Sequence, residues 1–523
     1  METPLSPLEF ARRALKLHAD REAVVDGELR FTYAQFLDRC DRASSALQSL
    51  GLGKGDRVAL ISPNTHSNLE MYYAAPQYGA VIVPINYRLT ADDFVYLINH
   101  SGSKIVCANP DYFAAIDGIR DQLPDVTHFI ALEGARDGWL DYAHLVATSS
   151  PNFERFPVAE TDLLSVNYTS GTTSRPKGVM ITHRNAWMNS VGVLVHMHMT
   201  PSDRYLWTLP MFHANGWTFI WTVTAVGGTH VCLRKVEPLA IYDHVNREGV
   251  TLLCAAPTVL IGIANGPEAQ RNAVRPGVRV ITAGAPPAPA TIERVEGELK
   301  WTITQAYGLT ETSPFITICE PLPAHAELTS EQRAKLKARQ GVELITSGET
   351  AVFDENDQPV PADGQTLGEI VARGNTVMRG YYNDPEASAK ALKGGWFRTG
   401  DAAVVHPDGY IEIRDRIKDV IISGGENISS IEVEAALLRH PAIVEVAVVG
   451  MPHEKWGESP EAFVVLRDGA ALADGELKAF CRQNLAHFKV PTAFHVVLDL
   501  PKTATGKIQK FVLRGKRAAI ATQ

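Results

Sequence analysis

The chain has 523 residues, 45% of them hydrophobic and 21% charged, with a formal net charge of −9. That length exceeds a single core and predicts roughly two to four folding units. The composition is that of a soluble globular enzyme, and the acidic balance argues against a nucleic-acid binder while leaving room for local basic patches.

Residues 1–7 lack a basic stretch followed by an apolar one. No run of ~18 apolar residues occurs, so neither a secretory leader nor a membrane span is expected. Strand-like runs at 57–61 and 79–84 flank a helix-like stretch at 67–75. The same rhythm returns at 104–107, 230–233, 252–254 and 278–282. Short apolar strands alternating with longer helices predict an α/β fold of largely parallel sheets. Ligands of such sheets gather at loops beyond the strand C-termini. From about 368 the texture changes. Residues 368–373 and 410–414 alternate as half-buried antiparallel strands do. A densely charged run at 414–419 precedes a tail with strands at 444–449 and 462–466 and a helix at 476–486. The tail is long enough for a small α+β domain with a modest core. The cysteines, Cys40, Cys107, Cys232, Cys254, Cys319 and Cys481, show no C-x-x-C spacing and mostly sit in apolar runs. They read as reduced and buried, with the cytoplasm as the expected location. The last residues, 521–523, do not spell a peroxisomal address.

The most informative segment is Tyr168-Thr169-Ser170-Gly171-Thr172-Thr173-Ser174-Arg175-Pro176-Lys177-Gly178. It reads as a loop from a strand end at 163–166 to a helix start at 181–185. Glycines let backbone N–H groups approach phosphate oxygens, hydroxyls add donors and lysine adds charge. It is not the common P-loop, because Pro176 precedes the lysine and no hydroxyl follows it. Alone, such a loop is as well read as a solvated turn. Further stretches accompany it. Ala283-Gly284-Ala285-Pro286-Pro287 is a glycine turn after a strand. Gln305-Ala306-Tyr307-Gly308-Leu309-Thr310-Glu311-Thr312 combines a ring that can stack on a purine with a carboxylate that can hold Mg2+. In isolation Tyr307 reads as core and Glu311 as a surface charge. Trp396-Phe397-Arg398-Thr399-Gly400-Asp401 reads as a buried aromatic pair leading into a turn, where Asp401 can accept ribose hydroxyls. Arg416-Ile417-Lys418-Asp419 leads to Ser423-Gly424-Gly425, and Lys507 lies within 501–508.

These six stretches, in this order, resemble the adenylate-forming superfamily of acyl-CoA synthetases, adenylation domains and luciferases. Within it they look most like the acyl-CoA synthetase (AMP-binding) family and its fatty-acyl and plant-type acyl-activating members. The resemblance runs from 31–33 to Lys507. It implies a large N-terminal adenylation domain, 1–416, and a mobile C-terminal lid, 417–523, with the hinge at Lys418. It also implies two half-reactions: acyl-adenylate formation from an acid and Mg·ATP, then transfer to coenzyme A. Thr169, Ser170, Gly171, Thr172, Thr173 and Lys177 would wrap the β- and γ-phosphates. Ala285, Pro286, Gln305, Ala306 and Tyr307 would bind adenine, and Gly308 would belong to the ATP site. Thr310 would touch the α-phosphate, Glu311 would bind Mg2+, Asp401 the ribose, and Arg416 ribose or phosphate. Lys507 would stabilise charge building on the carboxylate and α-phosphate oxygens. Thr169, Thr310 and Glu311 complete the expected catalytic set. Ser423, Gly424 and Gly425 would meet the pantetheine arm after the lid rotates. One departure is Ser174, where the family often has glycine.

Residues 209–219 are aromatic and nearly uncharged. By the resemblance they line the acyl pocket, with His213 beside the substrate carboxylate and Trp217 at the tail tunnel. Ala285, Gly308 and Thr312 would complete it. Without the resemblance, His213 and Trp217 read as core residues. The segment has no cation for a second carboxylate, so the expected substrate is an apolar monocarboxylate, a short-to-medium fatty acid first and an aryl acid second. Two rivals stand: a stand-alone adenylating enzyme that loads a carrier protein, and a nucleotide-binding regulator without catalysis. The chain ends soon after Lys507, so no fused carrier domain is expected. The only partners expected are small molecules, the acid and CoA, and a homodimer stays open.

Overall fold

A computed structural model describes residues 2–169, 176–424, 426–502 and 508–520. Among these, two large sheets make the body. One has seven strands. Arg57–Ile61 lies between Val81–Pro84 and Ser103–Ala108, all parallel. Leu163–Thr169 joins parallel to Val81–Pro84, and Lys177–Thr182 closes that edge antiparallel. The other has nine. In it Arg204–Leu206, Leu252–Ala255, Arg279–Thr282 and Thr302–Gly308 run parallel side by side. Their C-terminal ends therefore open on one edge, and the loops beyond them hold 207–213, 283–287 and 309–312. This is where doubly wound sheets bind ligands.

A buried aromatic core joins the two sheets through the helices His66–Ala74 and Phe219–Val226. Trp207 and Trp221 are fully buried in it. Truncating such a ring costs about 3–5 kcal/mol, so the edge that carries the loops is a stiff one. A four-stranded antiparallel sheet follows, made of Glu349–Phe353, Gly368–Arg373, Phe397–Val405 and Ile411–Arg416. The C-terminal unit builds its own sheet on Ile443–His453 and Gly457–Leu466, with its own apolar cluster. The α/β class, the parallel body, the antiparallel subdomain and the small α+β tail are all as expected. The six cysteines are free and buried.

Two local expectations are corrected. Tyr168, Thr169, Lys177 and Gly178, expected in a loop, are strand residues, while the helix start expected at 181–185 falls at His183. Lys177–Thr182 is a strand, antiparallel to Leu163–Thr169. Val179, Ile181 and Thr182 are β-branched and suit the pleat. The helix His183–His196 begins only after Thr182, whose hydroxyl accepts from Asn185 N–H at 3.2 Å while Asn185 Oδ1 accepts from Thr182 N–H at 2.9 Å. This reciprocal cap fixes the start. Likewise 396–401 is not a turn. Asp401 sits inside the strand Phe397–Val405, which pairs on both sides, and Trp396 is only half-buried. Gly400 takes φ +72°, but it does so within the strand.

Candidate active site

The register of the antiparallel sheet sets the first cluster. Asp401 and Arg416 are cross-strand partners. Arg416 Nε meets Asp401 Oδ1 at 2.7 Å, and the Tyr307 hydroxyl donates to Asp401 Oδ2 at 2.6 Å. Asp401 is 4% exposed. An unpaired carboxylate would be costly there, and these two bonds satisfy both oxygens. The Asp401 charge holds the Arg416 guanidinium above its ordinary pKa. Burial drives the Tyr307 hydroxyl well above its own, so it stays a neutral donor. Tyr307 is thus a buried ring that orients Asp401.

The second cluster centres on Glu311. Thr310–Thr312 forms one tight turn after the strand Thr302–Gly308. The Thr312 hydroxyl stabilises it, accepting from Leu309 N–H at 2.8 Å and donating to Leu309 O at 3.0 Å. Gly308 is required by crowding, since a Cβ there would collide with the Pro314 carbonyl oxygen. Glu311 Oε1 accepts from the Tyr381 hydroxyl at 2.9 Å, and the Lys177 ammonium lies 4.8 Å from the Tyr381 ring centroid. Burial pushes the Glu311 carboxyl above its ordinary pKa, opposed by the Tyr381 bond and the Arg416 charge. Tyr381 is held in place because Tyr382 N–H donates to Gly178 O at 2.7 Å. Asn185 anchors the same segment at Asn375 O and Val377 O.

The residues expected at adenine come from adjacent parallel strands, with Thr282 opposite Gln305. Ala285 is exposed and Pro286 half-buried on their turn, where Gly284 takes φ +94°. Ala306 and Gln305 are buried, and Gln305 Oε1 has no partner among the described residues. Thr169 and Thr310 are half-buried at the ends of their elements.

The segment expected to line the acid follows the strand Arg204–Leu206. Asn64 pins it, donating to Trp207 O at 2.8 Å and Leu209 O at 3.0 Å and accepting from Met211 N–H at 2.9 Å. Then comes a left-handed turn. Ala214, Asn215, Gly216, Trp217 and Thr218 have φ of 37°, 47°, 55°, 50° and 66°. Left-handed conformation costs about 1–2 kcal/mol for each residue with a Cβ, so this turn is held, not free. His213, half-exposed, immediately precedes it. Trp217 is buried edge-on against Phe315, at 5.3 Å between centroids, on the strand that follows the Glu311 turn.

Lys418 is exposed between the two units. Ser423 pairs with Gly457, and Gly424 N–H donates to Trp456 O at 2.8 Å. Lys507, Gly425 and the loop residues Ser170, Gly171, Thr172, Thr173 and Ser174 lie outside the described residues.

Several partners escaped the sequence reading. Tyr381 is one, and the buried amides under the left-handed turn are others. Around Lys418, the expected hinge, Asp415 Oδ2 accepts from Ser430 N–H at 2.7 Å and from the Ser430 hydroxyl at 2.6 Å. Lys510 pairs with Glu434 at 2.8 Å, and Arg514 with Asp419 at 2.7 Å. The Ser429-Ser430 cap ahead of a helix was the one signal available.

A family model described as AMP-binding enzyme matches residues 10–382, and one for the AMP-binding enzyme C-terminal domain matches 432–507. The chain is 43% identical to 4-hydroxybutyrate–CoA ligase 2 of Metallosphaera sedula, over 99% of this chain and 96% of that protein. It is 42% identical to a peroxisomal acetate/butyrate–CoA ligase of Arabidopsis thaliana (98% and 95% covered). It is 38% identical to a peroxisomal trans-cinnamate:CoA ligase of Petunia hybrida (98% and 94% covered). In fold it matches an anthranilate–CoA ligase in complex with anthranoyl-AMP, with a TM-score of 0.90, 24% identity and full coverage of both chains. It also matches ATP-bound MatB from Rhodopseudomonas palustris, with a TM-score of 0.85, 28% identity and 98% and 99% coverage. Two parallel sheets, an antiparallel subdomain and a small C-terminal unit are the architecture of an adenylate-forming enzyme. The chain belongs to the AMP-binding enzyme family, as its motifs implied, and ATP and CoA fit that family as substrates. Among the described residues no helix is long and apolar enough to cross a membrane.

Proposed function

We propose that the protein is an ATP-dependent acid–CoA ligase acting on a short-to-medium, apolar monocarboxylic acid. The observation that carries this is the meeting of two unlike surfaces. The uncharged turn at 214–218 packs, through Trp217 and Phe315, against the strand that follows the charged Glu311 turn. A carboxylate seated there has no second counter-charge to satisfy and faces the phosphate side. The relatives' named acids, 4-hydroxybutyrate and acetate or butyrate, support a short chain.

The chemistry is positioning plus charge stabilisation. One acid oxygen attacks the α-phosphorus of ATP, the bond to pyrophosphate breaks, and pyrophosphate leaves. The CoA sulfur then attacks the acyl carbon, the bond to the AMP oxygen breaks, AMP leaves, and the thiol proton passes to solvent. Asp401, oriented by Tyr307 and Arg416, would accept the ribose hydroxyls. Ala285, Pro286, Gln305, Ala306 and Gly308 would border adenine. Thr169 to Lys177 would surround the outer phosphates, and Thr310 the α-phosphate. Glu311 is the residue for Mg2+. Burial disfavours its charge, and a hard divalent cation favours oxygen ligands of this kind. Bound there, Mg2+ would neutralise charge on the phosphate oxygens. Lys507 would act on the carboxylate and α-phosphate. With a domain boundary at 416 and 417 and a pivot at Lys418, the unit 417–523 would present Lys507 for the first step and Ser423, Gly424 and Gly425 for the second.

An aryl acid is the second reading, favoured by the Trp217–Phe315 pair and by the relative named for trans-cinnamate. The acceptor we propose is CoA, the thiol in the relatives' names, ahead of a carrier protein. The cytoplasm is the proposed location, and cell fractionation against the peroxisome, where the plant relatives are named, decides it. The activity test is CoA-dependent AMP release across a panel of straight-chain, aryl, dicarboxylic and amino acids. Short straight-chain acids should be best. Preference for malonate or an amino acid would overturn the pocket reading.

A further inference from the structure

The left-handed turn at 214–218 rests on a closed ring of three buried neutral side chains. Asn215 Nδ2 donates to Ser165 Oγ at 2.6 Å, and Ser165 Oγ donates to Asn167 Oδ1 at 2.8 Å. Asn167 Nδ2 returns to Asn215 Oδ1 at 3.4 Å and also donates to Phe212 O at 3.1 Å. The three residues are 0%, 2% and 1% exposed for Ser165, Asn167 and Asn215. Two of them lie on the strand Leu163–Thr169, whose last residue opens the expected phosphate loop. The third lies inside the turn, two residues from both His213 and Trp217.

We propose that Ser165, Asn167 and Asn215 are positioning residues for the acid: their ring holds the turn, and with it His213 and Trp217, in register with the phosphate-side strand. This rests on the acid–CoA ligase reading. Two features favour it over a purely structural role. The ring's bonds fall on the one stretch of described backbone where five consecutive residues are left-handed, a conformation that persists only where its surroundings over-determine it. The ring is also neutral throughout. Amides and a hydroxyl can fix geometry beside a reacting carboxylate without a charge that would draw it to the wrong depth.

The test uses the full chain and two variants with opposite backbone consequences. Ser165→Ala removes the central hydroxyl and leaves Asn215 Nδ2 and Asn167 Oδ1 without that partner in the core. Asn215→Gly also opens the ring but suits a φ of +47°. Acid-dependent AMP release is measured from acetate to octanoate and with benzoate, alongside Tm. Both variants should raise the acid KM about tenfold or more and flatten the ranking of acids, while the ATP KM stays within about twofold. Ser165→Ala should lower Tm more than Asn215→Gly, so a kinetic effect common to both is not a stability effect. If Ser165→Ala does not fold, Asn215→Gly decides. Wild-type acid KM and ranking in the folded variants, or equal rises in the acid and ATP KM, would overturn the ring's role. A wild type that releases no AMP with any acid would sink the ligase reading first, and the ring's role with it.

Discussion

The proposed nucleotide side and the proposed acid side are built by different means. The nucleotide side is charged and its groups answer one another directly: Arg416 on Asp401, and Lys177 beside the tyrosine that bonds Glu311. The acid side is neutral, and its shape comes from a strained turn held by Asn64, Ser165, Asn167 and Asn215. Charge must be placed where charge develops, so the chemistry dictates the kind of residue needed there. Shape can be altered by any bulky side chain, so it is the natural place for one family to change its acid.

This contrast can be broken from either side. The largest effect is expected from Lys507→Ala, which should slow adenylate formation by about 10²–10³-fold, the usual loss on removing one transition-state donor. Thioester formation from supplied acyl-adenylate should survive, and equal loss of both steps would refute the proposed division of labour. Next, Asp401→Asn keeps the shape but forfeits a charge-assisted contact worth about 1.5–3 kcal/mol. The ATP KM should rise about tenfold or more and the acid KM hold; the reverse pattern would merge the two sides. Smaller again is Gly216→Ala. A Cβ at φ +55° would lie 2.5 Å from Trp207 Cζ3. It should cost about 1–3 kcal/mol of stability by urea unfolding and weaken the acid, not ATP.

Two pH effects separate the sides further. In the metal-free protein Glu311 titrates above its ordinary value because it is buried, so at limiting Mg2+ adenylation should fall on acidification before an ordinary carboxylate would protonate, and saturating Mg2+ should move that fall to lower pH. Glu311→Gln should remove that limb along with much of the activity. His183, fully buried with its Nδ1 against the Ser6 hydroxyl at 2.9 Å, is lowered to about 4 by burial. Its folded pKa lies below the ordinary 6.5, so the unfolded chain binds the extra proton. Stability should therefore decline as pH falls from about 6.5 toward about 4, by up to ~3 kcal/mol. His183→Gln should flatten this decline, and an unchanged decline would assign it elsewhere.

The same contrast explains what could be read without coordinates. The parallel body was legible because its strands are short apolar runs. The nucleotide motifs were legible because Tyr307, Thr310 and Glu311 share one strand end, and because charged or glycine-rich residues in register are rarely accidental. The acid side was not. Asn167 and Asn215 stand 48 residues apart, and Asn64 reaches Leu209 across 145. Buried amides look like ordinary loop and cap residues until the chain folds. Tyr381, 70 residues from Glu311, was hidden for the same reason. The two misread elements failed at glycines: Gly178 and Gly400 resemble breakers but sit in paired strands.

The most direct measurement is exchange of labelled pyrophosphate into ATP with purified protein, an acid such as butyrate, magnesium and no CoA. Reversible adenylate formation predicts exchange that requires the acid and not the thiol. Exchange absent with every monocarboxylic acid, or appearing only once CoA is added, would contradict it.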